Sequence, residues 1–532
     1  MPVSALTSKN AHSRSFVYYL VLTAVICGAL VMVIEILGSR VIGPFFGASL
    51  FVWTSLITVT LVALACGYAA GGVLSDKKGS PDYLYGIILL AGVLVLLVPL
   101  LKGPVLRTAL PFGLRSGAFL SSLALFGPAL FLLGCVSPYL IKIAAVEMRN
   151  IGRTVGVFYA ISTIGSFLGT VMTGFIFIAY FKVNQIFTVT GLLLVCLSAG
   201  YFVFWKGKRW VAAFVILPFL LYHGGDTPVS KLRKSGTRVT KVFSKDGFYG
   251  NLKVVDYSYG EKHTRELMID GQIQGGIDMK SRLSVYGYSY FLEALPYSIN
   301  PEGKNCLVIG LGAGVVPVWY ESRGVKTDVV DIDPDVVRIA RDYFGFSLRG
   351  DVIVSDARYY LNTSDKKYDY VIMDVSNGDT TPGHILSIEA LQLVRARMTE
   401  RGIFAINFIG SLRNENFMTA SIVRTLESAF TTVSIYPNFL PEEGDGIGNI
   451  TVLAYAYPFP LVDIKTLPAG FPVHPLAQEN VRRVFGQTFS FPRGTQAVVL
   501  SDDYNPIDFY DAWLKERLRK GIIDNTDWEV LI

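Results

Sequence analysis

The segment Cys306-Leu-Val-Ile-Gly-Leu-Gly-Ala-Gly314 joins a run of four apolar residues to three glycines spaced two apart. The apolar run reads as a buried strand. The glycines let the chain turn sharply and bring backbone N–H groups close to a ligand, at the start of a helix that begins at Val315. A lone glycine pattern is weak evidence, so the fold is decided by the strands downstream of it. A second strand, Thr327–Val330, ends at Asp331. A third, Val352–Val354, ends at Ser355-Asp356-Ala357, and a fourth, Tyr370–Met373, ends at Asp374. Polar residues at successive carboxyl ends mark the crevice in which doubly wound sheets bind ligands. Each carboxylate alone reads equally well as a helix N-cap; their succession favours a site.

Two nucleotide chemistries compete. A dinucleotide fingerprint places its third glycine three residues after the second; here the spacing is two, and Val315 stands at that position. A site of the S-adenosylmethionine (AdoMet) type has one acid for the ribose hydroxyls and another, after the third strand, for the adenine amino group. Asp331 and Asp356 fit that pair. Gly310, Gly312, Gly314, Asp331 and Asp356 are therefore the predicted cofactor-binding residues, in a Rossmann-like α/β domain over residues 281–465. Upstream, alternation in Leu252–Tyr257 and Glu266–Ile269, with turn pairs Tyr259-Gly260 and Asp270-Gly271, predicts a small antiparallel sheet subdomain over 235–280. A helix is expected at 282–295, and residues 466–532 form a C-terminal extension.

The first 225 residues differ in kind. Of the 532 residues, 51% are hydrophobic and only 17% charged, with mean hydropathy +0.44, against about 25% charged in soluble chains. The deficit is concentrated in apolar runs at 16–37, 50–74, 83–101, 119–145, 155–180 and 185–205. Each approaches the roughly 20 residues that cross a bilayer, which predicts a helical transmembrane domain of six or seven spans over 1–225. The first run is too long, and is succeeded by too many others, for a cleaved signal peptide. Nine Lys and Arg residues fall in loops on one side, from Lys9 to Arg209, against five on the other. That places the N-terminus and the soluble domain in the cytoplasm of a multi-pass plasma-membrane protein. The short run 210–222 would reverse the last assignment if it crossed. Gly67/Gly71 and Gly165/Gly169 suit close helix packing. Glu35, a carboxylate inside a span, reads either as part of a polar path or as an ion pair with Arg40.

Some classes are excluded. No CxxC pair occurs and the five histidines are scattered, so no metal site is expected. No basic tract interleaved with aromatic residues supports nucleic-acid binding.

With these residues in view, the chain resembles the bacterial membrane-fused members of the spermidine synthase family. The likeness rests on Glu35-Ile-Leu-Gly-Ser-Arg40, Pro44-Phe-Phe-Gly47 and Tyr159-Ala-Ile-Ser-Thr-Ile-Gly165 in the apolar half. In the soluble half it rests on Tyr249-Gly-Asn251, Asp270-Gly-Gln-Ile-Gln274, the glycine loop, Asp374 through His384, and Ser501-Asp-Asp-Tyr-Asn-Pro506. The resemblance implies an aminopropyltransferase of polyamine biosynthesis that uses decarboxylated AdoMet and a small amine such as putrescine. Asp374 would be the catalytic acid–base and Tyr288 would line the amine site. Asp331 would hold the ribose, and Asp356 with Ala357 the adenine. Asn377 and Asp379 would bind the substrate amine. Membrane lipid and a second copy of the chain are the other expected partners.

Three departures qualify the match. The family's glycine loop carries an aspartate where this chain has Ala313, its second catalytic-loop acid is Asn377 here, and the residue after the site tyrosine is Ser289. A diamine needs a carboxylate at each end, because burying an unpaired ammonium is unfavourable. An AdoMet-dependent methyl- or alkyltransferase, and a transporter or sensor with a nucleoside-binding domain, are therefore the alternative readings.

Overall fold

The computed structural model describes residues 14–47, 50–145, 151–216, 230–375, 381–455 and 466–531. The chain divides into two compact units, Met1–Asp226 and Thr227–Ile532.

The first unit is helical. Its helices are α1 (Arg14–Phe46), α2 (Leu50–Lys77), α3 (Pro81–Ala109), α4 (Gly113–Leu125), α5 (Gly127–Ala145), α6 (Ile151–Met172) and α7 (Val183–Lys206). Among the described residues, six helical stretches are long and apolar enough to cross a membrane, in the positions the apolar runs predict. The expected span 119–145 is divided: α4 ends at Leu125 and α5 begins at Gly127. Pro128 has no amide to donate back into α4, so it opens a new helix instead. The glycine pairs pack as expected. A Cβ on Gly67 would lie 2.3 Å from the Phe131 carbonyl oxygen, and one on Gly165 would lie 2.2 Å from that of Val25. These contacts seat α2 on α5 and α6 on α1. Glu35 and Arg40 share the unbroken α1, where five residues turn them about 140° apart, which does not favour the ion pair. Arg209–Ile216 is a 3-10 helix of about 16 Å at 2 Å per residue, too short to cross. The rest of the run 210–222 lies outside the described residues.

The second unit opens with an antiparallel sheet in the order β1-β2-β3-β4-β5. Its strands are β1 (Ser230–Leu232), β2 (Arg238–Gly247), β3 (Gly250–Tyr259), β4 (Lys262–Ile269) and β5 (Gln272–Asp278). The helix expected at 282–295 starts six residues late, as α8 (Tyr288–Ile299). Asp278 accepts from the amides of Lys280 and Ser281 at 3.2 and 2.7 Å. Arg282 has φ of 62°, and Ser284 bridges back to Ile277. These local bonds compete with the helix.

The main sheet has seven strands in the order β11-β12-β10-β9-β6-β7-β8. They are β6 (Asn305–Ile309), β7 (Lys326–Asp331), β8 (Val352–Val354), β9 (Tyr368–Met373), β10 (Met398–Ser411), β11 (Thr432–Pro437) and β12 (Ile447–Tyr455). The four strands read from the sequence are neighbours and parallel, and β12 lies antiparallel to β10. Ile309 pairs with both Val330 and Met373, and Asp331 pairs with Val354. That register brings Gly310, Asp331, Ser355 and Asp374 to one edge. Helices α9 (Val315–Ser322), α10 (Pro334–Phe344), α11 (Ala357–Thr363), α12 (Ile388–Ala396) and α13 (Phe417–Ala429) cover the two faces, each with its own apolar core. This is the Rossmann-like architecture expected.

The C-terminal segment is not an appendage. Helix α14 (Pro475–Val484) buries Val481 and Val484 fully in the core of one face, and Leu500 joins the other. Helix α15 (Ala512–Asn525) buries Arg519, whose Nη1 donates to the Asp270 carbonyl at 2.6 Å.

Candidate active site

The carboxyl edge of the main sheet opens into a cavity of about 430 Å³, bounded opposite by the small sheet. The glycines shape its floor. Gly310 has φ of 89°, and a Cβ there would lie 2.2 Å from the Asp374 carbonyl oxygen; Gly312 has φ of 53°, and a Cβ would lie 2.5 Å from that of Gln274. Side chains at either position would push apart the two walls of the cavity.

Asp331, at the end of β7, is tied into the glycine loop. Its two carboxylate oxygens accept from the amides of Leu311 and Asp333, each at 2.8 Å. Burial nevertheless outweighs these bonds and pushes its pKa up to about 6. Asp333 caps α10 by accepting from the Asp335 amide at 2.8 Å. Asp356 realises the capping reading: its Oδ1 accepts from the Tyr359 amide at 2.9 Å at the start of α11. Its Oδ2 lies 3.3 Å from His384 Nε2, and the same residue that caps the helix also lines the cavity. Tyr249, at the β2–β3 turn, completes this end; burial and the carboxylates of Asp333, Asp356 and Asp331 raise its hydroxyl pKa. The cluster can take a ribose and an adenine.

Asp374 comes directly after β9 at the other end, enclosed by protein but facing the cavity. Asn407 Nδ2 donates to its Oδ1 at 3.0 Å, and the Tyr288 hydroxyl donates to the same carboxylate. Burial pushes its pKa up to about 6 against those two bonds. A carboxylate has about four acceptor positions, so Asp374 can still accept from an amine. Asn407 was not legible as a site residue. It lies inside the long apolar strand β10, where a polar residue is the signal that could have found it. Its Nδ2 also donates to Asn449 Oδ1 at 3.2 Å, while its own Oδ1 is buried with no hydrogen-bond partner among the described residues. A buried acceptor in this state suits an N–H donor from a bound molecule.

Ala313 is buried beside the main cavity. It lines a recess of about 20 Å³ shared with Gly275, Tyr288 and Asp374. Ser289, also in that recess, donates to the Tyr286 carbonyl at 3.0 Å. Asn377 and Asp379 lie outside the described residues. No group of His, Cys, Asp and Glu suited to a metal occurs among the described residues.

The segment Ser501–Pro506 acquires a physical role. Arg358 Nη1 donates to Asp502 Oδ1 at 2.6 Å and to the His384 carbonyl at 3.1 Å. Asn505 Nδ2 donates to the Gly383 carbonyl at 2.7 Å. The segment thus ties the chain after Asp374 to the helix that Asp356 caps. Asp502→Ala should weaken binding of methylthioadenosine about two- to fivefold, as suits a part-exposed ion pair. Calorimetry on the detergent-purified chain would measure it; an unchanged affinity would show that the loop holds its place without this tie.

Residues 286–463 match the spermine/spermidine synthase domain. The chain is 27% identical over 272 residues to an N-terminal histidine N-methyltransferase of Emericella nidulans, covering 45% of this chain and 48% of that protein. It is 28% identical over 220 residues to a polyamine aminopropyltransferase of Vibrio vulnificus, covering 39% of this chain and 70% of that one. A crystal structure of a probable spermidine synthase from Corynebacterium glutamicum is also similar, at 18% identity and TM-score 0.40, over 48% of this chain and 95% of that one. The second unit therefore contains a segment similar to the spermine/spermidine synthase domain. The match spans about half the length of the fungal relative.

Proposed function

We propose that this protein transfers an aminopropyl group from decarboxylated AdoMet to an amine, within a multi-pass membrane protein whose catalytic domain faces the cytoplasm. The observation that carries the reading is Asp374, held by Tyr288 and Asn407 at the cavity end opposite the acid cluster. With the nucleoside held by Asp331 and Asp356, the sulfonium lies between the two ends. The amine nitrogen attacks the aminopropyl carbon, the C–S bond breaks, and its electron pair returns to sulfur, leaving methylthioadenosine. The new C–N bond leaves an excess proton on nitrogen, and Asp374 accepts it. The sulfonium is already a strong electrophile, so the protein's main work is to hold the amine in line and unprotonated.

Ala313 favours a second reading, methyl transfer from intact AdoMet. A carboxylate at this position would pair with the donor's ammonium and repel the α-carboxylate of intact AdoMet. Two charges about 4 Å apart interact by roughly 4 kcal/mol at an effective dielectric near 20; with alanine that discrimination is absent. Wild type is expected to bind intact AdoMet at least as well as the decarboxylated form. Ala313→Asp should shift the ratio at least tenfold toward the decarboxylated donor, with methylthioadenosine as a control for the nucleoside site. A competition experiment with both donors measures this. A strong wild-type preference for decarboxylated AdoMet would show that another acid supplies the contact and would remove the methyl-transfer reading.

A further inference from the structure

The helical unit has a cavity of its own, of about 130 Å³, among α1, α2, α5 and α6. Helix α2 packs chiefly on α5, and α6 chiefly on α1, so the cavity lies where the two pairs meet. Its wall is mixed. Met32 and Leu133 are apolar, while Tyr68 of α2, Ser137 of α5, and Tyr159 and Ser162 of α6 carry hydroxyls. No Asp, Glu, Lys, Arg or His is among its described lining residues. Tyr68 stands nine residues before Lys77, and Ser162 nine residues after Arg153. At 1.5 Å per residue each is about 13 Å along its helix from that charge, near the middle of a hydrocarbon core about 30 Å thick.

A hydroxyl in an apolar helix has a local remedy, which is to donate to the carbonyl four residues back. Ser55, Ser122, Thr163, Thr170 and Thr173 all take it in this unit, at 2.7 to 2.9 Å. Ser166, also on the cavity wall, donates across to the Gly28 carbonyl at 3.0 Å. The hydroxyls of Tyr68, Ser137, Tyr159 and Ser162 make no such bond among the described residues. Within a bilayer an unmet hydroxyl is unfavourable, because no water is there to replace the missing partner. A bound molecule carrying oxygen acceptors meets several of them at once. Tyr68 and Tyr159 are also 45% and 56% exposed. The hydroxyl-lined wall therefore continues to the surface of the unit, which leaves a path out for an apolar chain.

We infer that this cavity binds the head of an uncharged amphiphile. A group with hydrogen-bond acceptors sits among Tyr68, Ser137, Tyr159 and Ser162, and its apolar chain leaves past the two tyrosines into the bilayer. A quinone ring and a glyceryl ester share this chemistry. An alkylammonium does not, since the described wall holds no carboxylate to offset its burial. The inference rests on the first unit being membrane-embedded and is independent of the transfer reaction.

The test uses the full chain in phosphatidylcholine nanodiscs, with empty nanodiscs as the blank for partitioning. Equilibrium binding is measured for decylbenzoquinone, for monodecanoylglycerol and for decylammonium as the charged control. At least one of the first two should saturate at one molecule per chain, with decylammonium at least tenfold weaker; which one binds separates a quinone from a lipid source. Each lost hydrogen bond should weaken binding about two- to tenfold, so Ser137→Ala combined with Ser162→Ala should cost about fivefold or more, and Tyr159→Phe about twofold or more. The same variants without ligand should melt no lower than wild type, because they remove hydroxyls that had no partner. Should the double variant fail to fold, Tyr159→Phe at its half-exposed position carries the test. Partitioning without a saturable site for either molecule would overturn the inference, and so would affinities unmoved by the substitutions or a preference for decylammonium. Alkaline carbonate distinguishes the two claims. A chain that it extracts from membranes would remove the membrane reading, whereas a chain retained in the pellet without saturable binding would sink the binding site alone.

Discussion

Asp374→Asn should lower the rate of alkyl transfer about 10²- to 10⁴-fold, the range of a positioned general base, while methylthioadenosine affinity changes little. Asparagine keeps the shape and still accepts from Tyr288 or Asn407, but it cannot take the proton that the amine must lose. Two further readouts distinguish this role from a structural one. The pKa of Asp374 is about 6, so its base form accumulates as pH rises through 6. The wild-type rate should carry an acid limb there that the Asn variant lacks. The stability effect has the opposite sign to the activity effect. A carboxyl whose pKa is higher in the folded chain than in the unfolded one stabilises the fold fully at low pH. That contribution is lost as pH rises from the ordinary carboxylate range through about 6. Ionised Asp374 therefore opposes folding at neutral pH by roughly 2–3 kcal/mol. Asp374→Asn should raise Tm at pH 7.5 and change it little at pH 4. A variant that is inactive and also less stable at neutral pH would mean that the substitution had merely damaged the core.

Asp331→Ala should weaken nucleoside binding about 5- to 150-fold, the equivalent of 1–3 kcal/mol for a lost buried hydrogen-bonding group. The effect has two sources. On the proposed reading the carboxylate accepts from the ribose, and it also holds the amides of Leu311 and Asp333, so its removal loosens the glycine loop. Asp331→Asn, which retains one carbonyl acceptor, should fall between alanine and wild type. Because Asp331 also has a pKa of about 6, protonation turns one acceptor into a donor, and wild-type affinity should drop as pH falls from 7.5 to 5.5. Calorimetry with methylthioadenosine at both pH values measures all of this. Equal affinities for Asp331→Ala and wild type would remove Asp331 from the cofactor site.

How much could be read from the sequence depends on how local each signal is. The Cys306–Gly314 strand and glycine turn, and the acids after the next three strands, depend on short-range rules, and the structure puts all of them along one edge. The apolar runs were equally readable because a bilayer crossing needs a long uniform stretch. The division at Phe126 was missed because hydropathy is blind to the amide that Pro128 lacks. The late start of α8 reflects hydrogen bonds from Asp278 and Ser284, which a periodicity argument does not weigh. Asn407 and Asn449 come from strands more than thirty residues beyond Asp374 and meet it only through the β9-β10-β12 pairing. Leu518 and Ile522 lie in a polar, amphipathic helix with no motif, and only the fold brings them to the cavity. The long-range partners of the site were therefore invisible for a common reason: sheet order and C-terminal packing, rather than spacing in the chain, bring them together.

The most direct test of the account is mass spectrometry of amines incubated with the purified full-length chain and either decarboxylated or intact AdoMet. Transfer catalysed by Asp374 predicts an amine that gains an aminopropyl or a methyl group, with methylthioadenosine or S-adenosylhomocysteine formed in equal amount, and no such product from Asp374→Asn. Normal methylthioadenosine binding with no alkylated amine from either donor would contradict it and leave a domain that binds nucleosides without transferring anything.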